Sequence, residues 1–156
     1  MSRGGRHPFN VRVYGLLLHE GKVLIADEWI NEMMVTKFPG GGLEFGEGPA
    51  ECVVREWQEE LDLKVEVTEH FYTTDFFQRS AFRDDDQVLS IYYKLKALEA
   101  IKVELRDKSF DLKPGEEEAF RWLDVERALV EELTFPIDRI VLEKLKRSQE
   151  QREQIL

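Results

Sequence analysis

Apolar residues concentrate in two β-favouring runs, Val11–Leu18 and Lys22–Asp27. The intervening "HEG" places Gly21 at a turn, so a hairpin is expected. Residues 28–40 contain "FPGGG", which reads as an irregular loop. A helix is expected over Pro49–Leu61: Gly48 can cap it, proline suits the first helical position, and Glu51 falls in the first turn, where the helix dipole favours an anion. "KVEVTEHFYTTDFFQ" and "VLSIYYKLKAL" alternate as two further strands, interrupted by Ser80–Gln87, and pair as a second hairpin. Residues 99–118 are polar, with a short strand at Ile101–Leu105; "AFRWLDV" is a last strand and Glu126–Leu133 a short helix. An amphipathic helix begins near Ile137 and frays into "KRSQEQREQIL". No repeat and no linker is visible, so residues 1–156 form one domain, with frayed ends at 1–8 and 148–156. Strands and helices in this order predict an α+β class, a mixed sheet flanked by helices in an α/β/α sandwich.

On the helix over Pro49–Leu61, Val53, Trp57, Leu61 and Val54 share a sector of about 100°, the width of a core-facing stripe. Glu56, Glu59 and Glu60 share a second sector alongside it, all within one turn of each other. The plain alternative is a solvated acidic face. Three features weigh against it. Like charges at this spacing oppose a helix by about 0.2–0.5 kcal/mol per pair, and no lysine stands four residues away to offset them. Glu59 and Glu60 lie in the C-terminal half, where the dipole disfavours anions. Glu47 adds a fourth carboxylate just before the helix. A hard divalent cation would relieve all of these, and oxygen-only ligands point to Mg²⁺ or Mn²⁺.

Composition narrows the partners. With 42% hydrophobic and 35% charged residues the chain suits a soluble globular protein. A net charge of −10 argues against a nucleic-acid binder but not against a small phosphorylated substrate reached through a cation. No apolar run is long enough to span a bilayer and no secretory h-region follows the basic N-terminus, so no membrane partner is expected and the cytoplasm is the expected compartment. The single Cys52 rules out an internal disulfide or a cysteine-rich zinc site. A homodimer is compatible with all of this. The glycine run at 40–48 lacks the Lys-Ser/Thr of a Walker loop and matches a dinucleotide fingerprint only loosely. His7, His19 and His70 have no ligand spacing.

The run from Gly41 through Glu47 to "REWQEELDL" resembles the Nudix box, with Gly41, Glu47, Arg55, Glu56, Trp57, Glu59, Glu60 and Leu63 at its required positions. Asp62 stands where the family has glycine; aspartate tolerates the left-handed conformation of that position better than most residues. The resemblance implies Mg²⁺-dependent hydrolysis (Mn²⁺ as an alternative) of a phosphoanhydride in a nucleoside diphosphate linked to another moiety, a pyrophosphatase activity. It implies Glu56, Glu59 and Glu60 as metal ligands. Glu47 would serve as a ligand through water or as a helix-orienting partner, and the Gly40 carbonyl as a further ligand. Arg55 would pair with a carboxylate of the box. The general base is Glu56 or one of Glu116, Glu117 and Glu118 before the last strand, of which Glu117 is the central member; an exposed acidic turn is the other reading of those three. Stacking candidates for a substrate ring are Phe9, Tyr14, Trp29, Phe38, Phe76, Phe77 and Phe82, with Trp29 and Phe82 the best placed by their polar surroundings. The alternative function is a non-catalytic Nudix-fold module that binds a nucleotide or partner; such modules typically lose box glutamates, which this chain keeps. An isomerase on the same fold is a third reading, with Cys52 inside the box helix.

Overall fold

The computed structural model describes residues 8–155, with side chains to Gln151. Strands β1 (Phe9–His19) and β2 (Lys22–Ile30) are joined by a turn in which Glu20 and Gly21 both take positive φ. The expected hairpin forms, but only Leu18↔Val23 and His19↔Lys22 pair across it. Beyond those pairs the strands part. β1 pairs antiparallel with β4 (Gly40–Gly42) and parallel with β6 (Gln87–Ala97), which in turn pairs antiparallel with β5 (Val65–Thr73). β2 lies between β3 (Met33–Lys37) and β7 (Glu118–Asp124), both antiparallel to it. The result is a mixed sheet that forks at the β1–β2 turn.

Two helices cover the sheet, and the two-residue period of the strands decides which side chain meets which helix. On β1, Val13 and Leu17 face α1 (Pro49–Leu61), where Cys52, Val53, Trp57 and Leu61 complete a core. Tyr14 and Leu16 face the other way, toward Ile137, Val141, Leu142 and Leu145 of α2 (Pro136–Ile155). β2 repeats the division, Leu24 and Ala26 on the α1 side, Val23 and Ile25 on the α2 side. The expected α+β sandwich is therefore observed.

Several local expectations change. Residues 28–40 are not an irregular loop: β2 continues to Ile30, Asn31 and Glu32 turn the chain with φ of 47° and 63°, and β3 and β4 follow. Two consecutive positive φ values make the tight turn that suits a twisted hairpin, here without glycine. Ile101–Leu105 is no strand; Leu105 makes one isolated bridge to Phe120. Of Glu126–Leu133 only Val130–Glu132 is helical, as a single 3-10 turn. α2 extends to Ile155; of the N-terminal stretch expected to fray, residues 1–7 lie outside the described residues.

α1 is seated by Trp57. Its Nε1–H donates to the Pro39 carbonyl (3.1 Å), which also accepts the Gly15 N–H (2.9 Å). Gly15 is required beneath it, since a Cβ there would stand 2.6 Å from the indole nitrogen and 2.3 Å from Leu95. The helix ends as anticipated: Asp62 adopts the left-handed conformation (φ 50°, ψ 44°) and its N–H donates to the Gln58 carbonyl at 3.1 Å. Trp57→Phe keeps most of the buried ring but loses the indole bond, and a stability loss of about 1–2 kcal/mol in urea unfolding is expected.

Candidate active site

The helix is rotated so that its acidic sector, rather than Val54, turns toward the protein. Val54 is 36% exposed, a correction to its expected place in the core, while Cys52 is buried beneath β4 with Sγ 3.5 Å from the Gly42 carbonyl. Glu60 lies only about 20° from Val53 around the axis and is drawn inward with the core stripe.

Arg55 gathers the N-terminal carboxylates. Its Nε and Nη2 donate to the two oxygens of Glu47 (2.9 and 2.7 Å), Nη1 donates to Glu56 and Glu59 (both 3.1 Å), and Nη2 also reaches the Gly42 carbonyl (3.2 Å). The Glu44 backbone N–H adds a bond to Glu47 Oε1 (3.0 Å). The arginine, followed by that N–H, holds the Glu47 carboxyl down at about 2. Gly41 leaves room for this arrangement: a Cβ there would come within 2.3 Å of the Glu56 carboxylate. Gly40 lies flush on β1, where a Cβ would meet the Val13 carbonyl at 2.1 Å.

A second group of acids faces the helix from the other arm of the fork. Glu28 and Glu118 are cross-strand neighbours on β2 and β7. Burial pushes the Glu60 carboxyl up, opposed by the charge of Lys37 and reinforced by Glu56 and Glu28. Burial likewise raises Glu118, helped by the charges of Glu60 and Glu28. Glu60 Oε2 and Glu118 Oε2 are both buried without a hydrogen-bond partner. Two positive groups border this cluster. Lys37 is buried, donates to the Phe38 carbonyl (2.9 Å) and lies 4.0 Å from Glu28; Arg12 donates to Tyr14 Oη (3.3 Å). A cavity of about 330 Å³ opens between the arms, and Arg12, Tyr14, Glu28 and Lys37 all line it.

The expected site residues are thus divided. Glu47, Arg55, Glu56 and Glu59 meet in one hydrogen-bonded cluster, and Glu60 joins the second group. Glu117 does not reach either: its side chain is exposed, and Glu116 is engaged by Arg106 at 2.7 Å. Strand alternation turns Glu118 inward instead. Of the stacking candidates, Tyr14 and Phe82 line the cavity, Trp29 does not, and Phe38 is core. No group of three His, Cys, Asp or Glu side chains among the described residues is already drawn together as a ligand set. The donor chemistry nevertheless fits a hard cation: the groups are oxygens, and two buried carboxylate oxygens lack any other partner.

A family model described as NUDIX domain matches residues 6–145. The chain belongs to the Nudix family. As a Nudix hydrolase it carries the box on β4, the following loop and α1. Its fold is that of the MutT protein from Methanosarcina mazei Go1 (TM-score 0.67, 20% identity, 92% of this chain and 97% of that chain). It is equally similar to the E. coli ORF135 protein (TM-score 0.67, 20% identity, 89% of each chain) and less so to an ADP-ribose pyrophosphatase from Streptococcus suis (TM-score 0.54, 18% identity, 89% of this chain and 91% of that chain). No curated protein matches. No helix among the described residues is long and apolar enough to cross a membrane.

Glu28, Lys37 and Arg12 were not singled out by the sequence. Their only signal is a charged residue inside a strand pattern, and it is the fork that aims them at the box. The Glu47–Arg55 pair has a pH signature. A carboxyl held low in the fold contributes stability that is present above its ordinary 4.5 and lost as pH falls through about 2. Glu47→Gln should therefore lose less stability than wild type between pH 5 and pH 2, as read by chemical denaturation across that range.

Proposed function

We propose that this Nudix hydrolase cleaves a phosphoanhydride bond in a nucleoside diphosphate linked to a second moiety, with Mg²⁺ as cofactor and Mn²⁺ as a substitute. The observation that carries the reading is the pair of carboxylates with buried, unpartnered oxygens, Glu60 and Glu118, on separate elements and acted on by the charges of Glu28 and Lys37, which line a cavity together with Arg12. Glu56, Glu59, Glu60, Glu47 and the Gly40 carbonyl are the groups that would hold the cation. When bound, it supplies charge neutralisation for the phosphates and acidifies the attacking water.

The chain's own residues do the rest. Arg55 sets the rotamers of Glu47, Glu56 and Glu59 through its fan of hydrogen bonds, so the ligands are oriented before substrate arrives. Gly41 lets the Glu56 carboxylate lie against the backbone. Lys37 and Arg12 offer fixed positive charge to the phosphate oxygens on the cavity side. Glu118 is the favoured general base: its Oε2 has no partner, whereas Glu56 is engaged by Arg55 at 3.1 Å. Water adds to phosphorus, its proton passes to that carboxylate, and the bridging P–O bond breaks to release two phosphorylated fragments.

The assay is phosphate or nucleotide release from NDP-sugars, dinucleoside polyphosphates and NTPs with Mg²⁺. Glu60→Gln and Glu118→Gln should each lower kcat by about 10²-fold or more on the preferred substrate. Glu117→Gln should stay within about twofold, as expected for an exposed side chain outside the clusters. Turnover that survives both of the first two substitutions places the chemistry elsewhere, and chelation of the metal should abolish release in wild type.

A further inference from the structure

β7 carries an ambiguity that its own sequence does not resolve. Glu116, Glu117 and Glu118 stand in a row at its start, so a shift of one residue would still turn a glutamate toward Glu28. The apolar residues decide little, because they lie on both faces: Phe120 packs on the α1 side and Leu123 on the α2 side. Among the described residues β2 is the only strand that pairs along β7; on the other edge Leu105 makes a single bridge to Phe120. What distinguishes the two registers is an ion pair on the α2 side. Arg121 Nε and Nη2 donate to the two oxygens of Asp27 (2.7 and 3.2 Å), and both residues are buried. The same carboxylate accepts the Thr36 hydroxyl (2.7 Å) from β3 and the Phe110 N–H (3.0 Å) from the segment that leads into β7. Phe110 is held there with φ of 55°, a conformation that bulky side chains rarely adopt.

A buried ion pair adds little stability over apolar side chains of the same volume, because desolvation of the two charges offsets their attraction. Its use lies in what it forbids. Asp27 adjoins Glu28, and Arg121 stands three residues after Glu118, so strand alternation puts the ion pair on one face and the two glutamates on the other. In the shifted register Arg121 would turn into the α1 core and leave Asp27 without a counter-charge. We propose that Asp27 and Arg121 are positioning residues for hydrolysis, their ion pair locking β7 in the register that presents Glu118, rather than Glu117, to Glu28. The role in catalysis rests on the proposed reaction, in which Glu118 is the base; the lock itself does not.

The test reads the register by NMR on the full chain. The Trp29 N–H donates to the Glu117 carbonyl (2.8 Å), which makes Glu28 and Glu118 a non-hydrogen-bonded pair whose α-hydrogens lie close together. Wild type should show a nuclear Overhauser contact between those α-hydrogens. The double variant Asp27→Asn/Arg121→Met leaves no charge buried. Asparagine can turn its carbonyl to the Phe110 N–H and its NH₂ to the Thr36 hydroxyl, and methionine refills the space of the arginine stem. It should stay folded in a thermal melt and show a Glu28–Glu117 contact beside or in place of the wild-type one. On the preferred substrate its kcat should fall about tenfold or more with KM within about threefold. Adding Glu117→Gln should lower the remaining turnover about fivefold or more, although the same substitution in wild type stays within about twofold. A merely weakened fold would not transfer dependence to Glu117. Should the double variant not fold, Arg121→Lys, which keeps the charge but cannot hold both carboxylate oxygens, is read the same way. A Glu28–Glu118 contact alone in the folded variant, or a shifted register with unchanged turnover, overturns the assignment. Absence of hydrolysis by wild type would remove the proposed reaction, and the lock would then stand or fall on the contacts alone.

Discussion

The bond from the Trp57 indole to the Pro39 carbonyl is the constraint from which the site follows. Pro39 precedes β4, and its carbonyl also takes the Gly15 N–H, so one acceptor ties helix, loop and central strand together. The indole can lie that close only because Gly15 has no side chain. This contact sets the rotation of α1 about its axis. A rotation of a few tens of degrees would bury Val54 and swing Glu60 and Glu56 toward solvent; in the observed seating Val54 is exposed and the glutamates face β4 and the second arm of the sheet.

The carboxylates thus turned inward fall into two electrostatic regimes. Those near the helix start are satisfied by Arg55, whose bidentate grip on Glu47 and single bonds to Glu56 and Glu59 offset the repulsion expected of like charges one turn apart. Glu60 and Glu118 receive no such compensation. Burial and mutual repulsion act against their ionised forms, and each keeps an oxygen without a partner. Groups that work against stability in this way are what a site for a cation and a phosphate requires, since the ligand supplies the missing interactions.

The cavity owes its existence to the fork in the sheet. β1 and β2 pair over two residues and then diverge to different partners, and the gap between them is lined by charge at the box end and by aromatic rings toward α2. A substrate with phosphates at one end and a ring at the other matches that polarity along its length.

Much of this was readable along the chain. The limits of α1, the left-handed Asp62, the β5–β6 hairpin and the acidic ridge all depend on local rules: helical period, capping and the reach of neighbouring side chains. β3 and β4 were hidden because their turn uses Asn31 and Glu32 instead of glycine and because β4 is three glycines with no pattern to show. Of the adjacent Glu116, Glu117 and Glu118, the choice depends on which face of β7 looks inward, and that is decided by its register with β2, where Glu118 meets Glu28. The hydrogen bond from the Tyr92 hydroxyl to Asp138 likewise exists only once α2 packs beside β6. The sequence by itself determined which carboxylates could bind a metal, since that chemistry is carried by residue type and helical spacing. Only the tertiary structure decided which of them are buried and what faces them, because burial and pairing between distant segments arise from packing and leave no local trace.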